Sequence, residues 1–435
     1  MLKTDILILG GGITGLSAAY HLKNKNYILL EKEDKVGGLC RSVTDEKGFT
    51  YDYTGHLLHL KDNYVKKLVA KLLKGNLVTR NRNSWIYSNK VFTRYPFQAN
   101  LYGLPQNVVQ ECIQGLVEAK LHSSSSTIHN SSFIIHNSFY DFCLKTFGSG
   151  ISKYFMIPYN EKLWRTSTKE LTTEWMGNFV PQPTLHEVVY GAYHDNKEKF
   201  GYNATFLYPK HGGIQALIDK LKDNLPKIKR NIEIYSIDTQ KKFVKTCIGD
   251  IHYKNLISTI PLPELVKLIK GAPANVKNAS RKLKCTSVLN INIGIKRSKV
   301  SDKHWVYFPE KQFAFYRAGF YNNFSEQLCP KGTSSMYIEI SYRGSKISKQ
   351  KMLAKALSNL KSAGIIKPSD KIVSKVFLDI PYAYVVYDKN RKSAVDAIKK
   401  YLNKKSVHSI GRYGGWEYST MEDAILQGRA IANKL

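Results

Sequence analysis

Cysteine, acidic residues and long apolar runs are the scarce features of this 435-residue chain. The six cysteines (Cys40, Cys112, Cys143, Cys247, Cys285 and Cys329) are scattered, with no C-x-x-C pair. That spacing argues against a zinc site and points to free thiols in a reducing compartment. No apolar run nears the ~20 residues that span a bilayer, so no integral membrane segment is expected. An apolar strand begins almost at Met1, where a secretory signal would need a charged and then an apolar region. A cytoplasmic location is the expectation. Asp and Glu number 34 against 66 Lys and Arg, a net charge of +32. The lysines fall in short dispersed groups (KKFVK, RKLK, KISKQK, NKK), and no nucleic-acid module accompanies them. Nucleic acid is therefore not an expected partner. The excess suits an anionic substrate, a membrane or nucleic-acid surface, or a lysine-rich proteome; the last is favoured, with the first helping locally.

What is present is concentrated at the start. TDILILGGGITGLSAAYHL reads as a strand, then Gly10, Gly12 and Gly15 in G-x-G-x-x-G spacing, then an amphipathic helix. A second apolar run, YILLEK, ends in Glu31, about 20 residues on, as the dinucleotide fingerprint requires. Gly10 allows the tight turn, Gly12 lets backbone approach a pyrophosphate on the helix N-terminus, and Gly15 lets helix and sheet pack closely. Glu31 can accept hydrogen bonds from ribose. Read alone, this suits NAD or FAD. Just downstream, KEDKVGGLCRS carries Gly37 and Gly38 before Leu39, Cys40, Arg41 and Ser42. That turn resembles the second glycine motif of the FAD-binding amine-oxidase and nucleotide-sugar-mutase superfamily, which implies FAD with its pyrophosphate near Gly38, Leu39 and Arg41.

Further along, SWIYSNKVFTRYPF alternates as a hairpin, and residues 104–175 carry a helical period broken by a serine-rich insert, HSSSSTIHNSS, read as a surface loop. From Lys241 the pattern alternates again, and the last 28 residues read as strand, glycine turn and helix. The expected fold is α/β: a Rossmann-like FAD-binding domain (1–80, 203–262 and 405–435), an inserted helical domain (100–190), and a mixed or antiparallel sheet domain (81–99 and 263–404).

Six further motifs carry a closer resemblance: YDYTGH (51–56), TRYPFQAN (93–100), FMIPYNEKLW (155–164), YNATFLYPKHGG (202–213), WVYFP with FAFYRA (305–318), and GRYGGWEY (411–418). In this order they resemble the UDP-galactopyranose mutases, particularly the eukaryotic type. The resemblance implies a nucleoside-diphosphate sugar as partner and reduced FAD as the active cofactor, with flavin N5 attacking the anomeric carbon. It places Arg317, Tyr382 and Tyr418 on the diphosphate, and Tyr95, Phe97, Gln98, Trp305 and Tyr307 around uridine. Asn160, Trp164 and Asn203 fall on the sugar side, and Gly55, His56, Gly411 and Arg412 beside the flavin. Of these, His56, Arg317 and Arg412 are the expected catalytic groups. Arg82 and Ser84 match positions that hold NADPH, so NADPH or NADH is an expected reductant.

Three departures stand out. Phe179 occupies the place of a second phosphate-binding arginine, for which Arg165 is a candidate substitute. His59 replaces a uracil-facing aromatic, and an asparagine expected after Tyr418 is missing. The alternative reading is an FAD-dependent oxidoreductase of the amine-oxidase-like clan, and a third is a catalytically inert FAD-binding protein. The oligomeric state is left open.

Overall fold

The computed structural model describes residues 2–22, 24–124, 138–177, 179–196, 204–223, 225–345 and 347–435. Its first strand, β1 (Leu2–Leu9), turns into helix α1 (Ile13–His21) and returns as β2 (Tyr27–Leu30). The second half of β1 is buried on both faces, as suits a central parallel strand. It pairs in parallel with β2, Ile6 opposite Tyr27 through Leu9 opposite Leu30. On its other side it pairs in parallel with Gly249–Ser258, which in turn takes Val407–Ser409 in parallel. One sheet is thus assembled from the beginning, middle and end of the chain. Strands Phe243–Thr246 and Ile234–Asp238 extend it antiparallel, and Ile228–Lys229 closes the other edge.

The C-terminal helix, Met421–Lys434, lies against α1, where Ser17 donates to the Ile425 carbonyl at 2.7 Å. Its N-terminus is a capping box between Thr420 and Asp423. These contacts fold the end of the chain back onto the first glycine loop.

A second seven-stranded sheet runs in the order Ile372–Val385, Cys285–Ile295, Ser334–Tyr342, Arg317–Phe320, Trp305–Tyr307, Ser84–Ser88, Val91–Arg94. It is antiparallel except where Trp305–Tyr307 meets Ser84–Ser88. The hairpin expected from SWIYSNKVFTRYPF is present. Its turn lies at Asn89 and Lys90, both at positive φ (52° and 63°), as a two-residue type I′ connection demands. A helical layer covers one end: Gln106–Ser124, Phe139–Ile151, a π-helical turn at Ser152–Met156, and Ile157–Trp164.

Helix Gln106–Ser124 continues into the serine-rich insert, which corrects the reading of a loop from His122; residues 125–137 lie outside those described. Helices Lys349–Ser362 and Arg391–Asn403 went unread in the sequence. Their lysines mask apolar stripes, Leu353, Ala356 and Leu360 in one and Ala394, Val395, Ile398 and Leu402 in the other, which are the buried faces. Among the described residues no helix is long and apolar enough to cross a membrane.

Candidate active site

A cavity of about 1100 Å³ runs between the two sheets, from Glu31 at one end to Tyr95, Phe179 and Tyr418 at the other. That exceeds the roughly 300–1,000 Å³ of sites for drug-sized ligands. At the Glu31 end the two glycine motifs make its floor. Gly10 leaves β1 at φ +97°, and a side chain on Gly15 would place Cβ 2.0 Å from the Gly10 carbonyl oxygen. Only glycine permits so close an approach of helix and turn. Gly12 is the N-cap of α1 and supplies no side chain, and the first turn carries no acid. Its amide groups face an anion site without competition. The second turn is locked to the first by the Gly37 amide, which donates to the Gly11 carbonyl at 2.8 Å. Arg41 donates to the Gly38 carbonyl at 2.9 Å and lies over the Tyr53 ring. The Glu31 carboxylate accepts from the amides of Gly11 (2.8 Å) and Glu33 (3.0 Å), which orients it and leaves lone pairs for hydroxyls.

In the middle, the chain's beginning and end meet. The Gly411 amide donates to Gln427 at 2.7 Å, and a Cβ on Gly411 would stand 2.7 Å from the Thr14 hydroxyl. Arg412 donates to the Ser419 carbonyl at 2.7 Å and stacks 4.7 Å over the Tyr418 ring. His56 and Gly55 form the facing wall, with Leu39 beside them. Burial pulls His56 down to about 4, and the nearby Arg412 and Arg317 cations push the same way. The imidazole is therefore neutral at pH 7.

Arg317 marks the far end. Its guanidinium grips Glu339 in a bidentate pair at 2.5 and 2.9 Å. The two residues sit directly opposite each other on adjacent strands. Glu339 is 0% exposed, while Arg317 keeps 18% of its side chain open and lines the cavity. A fully buried acid in the apolar strand Ser334–Tyr342 was visible in MYIEISY, but nothing local said what it would meet. The Tyr316 and Tyr337 rings each lie 5.9 Å from the Arg317 guanidinium, and Tyr95, Tyr159, Tyr307, Tyr337, Tyr384 and Tyr418 all line the same cavity. Tyr159 meets Tyr307 edge-on at 5.2 Å, and Tyr384 stacks on Tyr418 at 6.4 Å.

Most of the sequence-selected residues converge here: Tyr95, Gln98, Asn160, Trp305, Tyr307, Arg317, Tyr382 and Tyr418 all line the cavity. Several do so differently than expected. Phe97 is fully buried and stacks on Phe155, so its ring is core rather than wall. Trp164 is 1% exposed and backs the wall, its indole donating to Asn160. The Tyr382 hydroxyl donates to Glu264, whereas Tyr384, two residues on along the same strand, stacks on Tyr418 and takes Arg412 5.7 Å over its ring. Alternation along a strand allowed either tyrosine, and only the tertiary packing chose. Asn203 lies outside the described residues. Phe179 is in the wall, edge-on to Tyr418 at 5.1 Å, and His59 lines it too. Arg165 is exposed and absent from the lining, so it does not replace the missing arginine. Arg82 lies outside the wall, stacked on Tyr95 at 4.9 Å, and Ser84 is buried in its strand.

The family model for flavin containing amine oxidoreductases matches residues 13–435. The chain belongs to that family. A structure of reduced UDP-galactopyranose mutase superposes on this flavoprotein with a TM-score of 0.92 at 28% identity, covering 100% of this chain and 94% of the other. Putrescine oxidase shares the fold, at TM-score 0.67 and 14% identity over 100% of this chain and 99% of that one. Flavin-containing amine oxidase B of Bos taurus is 33% identical over 72 residues, 16% of this chain and 14% of that protein. This amine oxidase is thus matched over a small fraction of its length. FAD fits the residues present. The open amides of α1 suit a pyrophosphate, Glu31 suits ribose hydroxyls, and the cavity continues from them past Arg412 to Arg317.

Proposed function

We propose that this flavoprotein interconverts pyranose and furanose forms of a nucleoside-diphosphate sugar, UDP-galactose or a close relative. The observation that carries this reading is Arg317. It is a cation presented to the cavity by a buried carboxylate and flanked by the Tyr316 and Tyr337 rings. The 28% identity to a reduced UDP-galactopyranose mutase over the whole chain supports it.

Reduced FAD, when bound, supplies a nucleophilic nitrogen for the anomeric carbon. The protein's part is positioning and electrostatics. In this reading Gly10, Gly12, Gly15, Gly38, Leu39 and Arg41 hold the FAD pyrophosphate, Glu31 its ribose, and Gly55 and Gly411 its flavin edge. Arg412 places positive charge beside the flavin, which favours its reduced anion. Neutral His56 offers a hydrogen-bonding ring without adding charge. Arg317, with the hydroxyls of Tyr384 and Tyr418, holds the diphosphate and takes up its charge as it leaves. Tyr95, Gln98, Trp305 and Tyr307 frame the base, and Asn160 faces the sugar. NADPH or NADH is the proposed reductant, with Arg82 beside its entry.

The second reading is an oxidoreductase of the same family. Phe179 favours it, because an apolar ring occupies a wall where a second cation would help an anion. Incubating dithionite-reduced protein with UDP-galactopyranose or UDP-galactofuranose separates the two. Interconversion only in the reduced state supports the mutase. Substrate-driven bleaching of oxidised flavin supports the oxidoreductase, and inertness toward every nucleotide sugar refutes the first reading.

A further inference from the structure

Lys162 is a buried cation for which the reading above has no use. It lies in helix Ile157–Trp164, which contributes Tyr159, Asn160 and Leu163 to the cavity wall. Its ammonium does not point into the cavity. It donates to the carbonyls of Phe308 (2.7 Å), Glu310 (2.5 Å) and Phe315 (3.3 Å). Three donors meet three acceptors, so the head group is fully used.

Those carbonyls belong to the loop joining Trp305–Tyr307 to Arg317–Phe320, strands paired with Tyr307 opposite Arg317. Phe308 follows Tyr307 directly, and Phe315 precedes Arg317 by two residues. The ammonium therefore spans both arms of the hairpin that presents Trp305, Tyr307 and Arg317 to the cavity. Across the gap, Tyr159 of the same helix touches Tyr307 at 5.2 Å. The Glu310 carboxylate is engaged elsewhere, accepting from the Asn89 amide and from Gln312, each at 2.5 Å. The cage is made of neutral dipoles. Burial lowers the amine to about 7, with Glu310 opposing and Arg165 adding to the shift.

We propose that Lys162 is a positioning residue that clips the helix carrying Tyr159 and Asn160 to the hairpin carrying Tyr307 and Arg317, and so sets the width of the substrate end of the cavity. A core lysine with no such role would stabilise the fold and leave ligand affinity alone. The choice of UDP as probe rests on the function proposed above; the clip itself does not.

The test uses FAD-loaded wild type and K162M, with amide hydrogen exchange over 157–164 and 308–315 and calorimetric titration with UDP. The expected result is an unchanged flavin spectrum, exchange at least tenfold faster in both segments together, and UDP binding about tenfold weaker. Exchange that rises in one segment only, or in neither, overturns the proposal, as does unaltered UDP affinity when both segments loosen. If K162M does not load FAD, K162Q, which keeps an N–H donor, is measured in its place against the same criteria. If wild type binds no UDP, the functional reading fails, and the paired exchange still decides the clip.

Discussion

Replacing Arg317 by methionine would leave Glu339 as an unpaired charge with no exposure to water. The wild-type guanidinium supplies two hydrogen bonds to that carboxylate, at 2.5 and 2.9 Å. Breaking a buried pair from one side costs roughly 3–5 kcal/mol, because the survivor is neither solvated nor neutralised. Against a typical stability of about 5–15 kcal/mol the loss is large. The R317M/E339M variant removes both charges and fills the space with apolar side chains. Such exchanges are often neutral, so most of the stability returns. Diphosphate binding does not return, because it needs the cation. The measurements are urea unfolding followed by tryptophan fluorescence, and UDP titration of the FAD-loaded proteins. The single variant unfolds at much lower urea. Both variants keep the flavin spectrum and lose UDP binding. A double variant as unstable as the single one would refute the charge argument. Undiminished UDP affinity in R317M would show that the diphosphate lies elsewhere.

Three other outcomes follow from the same geometry. F179R restores a cation to the wall beside Tyr418, and UDP titration is expected to show tighter binding by about tenfold or more, since a hydrogen bond to a charged group contributes roughly 1.5–3 kcal/mol. G15A puts a methyl 2.0 Å from the Gly10 carbonyl, so the purified protein is expected to carry little flavin absorbance. His304 accepts from the Asn83 amide at 2.8 Å through Nδ1, which requires a neutral ring, and burial lowers it to about 4. The unfolded state then binds the extra proton between pH 6.5 and 4, so this group's contribution is intact above 6.5 and lost as pH falls through that window. A shift from 6.5 to about 4 corresponds to about 3 kcal/mol at the acid limit. H304Q is expected to flatten the fall in thermal midpoint between pH 6.5 and 4; an identical slope would contradict it.

The nucleotide end was almost wholly legible in the amino-acid order. Its motifs are local: Gly10, Gly12, Gly15 and Glu31 lie within about 20 residues, and Gly15 is demanded by the Gly10 carbonyl only five residues before it. The same holds for the hairpin at Asn89 and Lys90 and for the closing helix from Met421. The substrate end was legible only in outline. Phe97 was expected in the uridine pocket and Trp164 in the sugar cleft, yet both side chains turn into the core. Tyr382 and Tyr384 share one strand face, and a period of two cannot choose between them; Glu264 takes the first hydroxyl, while the second tyrosine lies under Arg412 with its hydroxyl accepting from Tyr316.

The sequence by itself determined that this chain makes a glycine-floored dinucleotide cradle, because the pattern requires only two strands, a turn and a helix, and the Gly37-Gly38 turn pointed that cradle to FAD. It also determined that an arginine, several tyrosines and a phenylalanine stand in motifs worth testing. Only the tertiary structure decided how they act together. It brought Glu339 across a strand ladder to hold Arg317, sent Arg165 to the surface, and used Lys162 to join a helix to a hairpin almost 150 residues away. Those outcomes depend on burial and on partners distant in sequence, and electrostatics acts through space rather than along the chain.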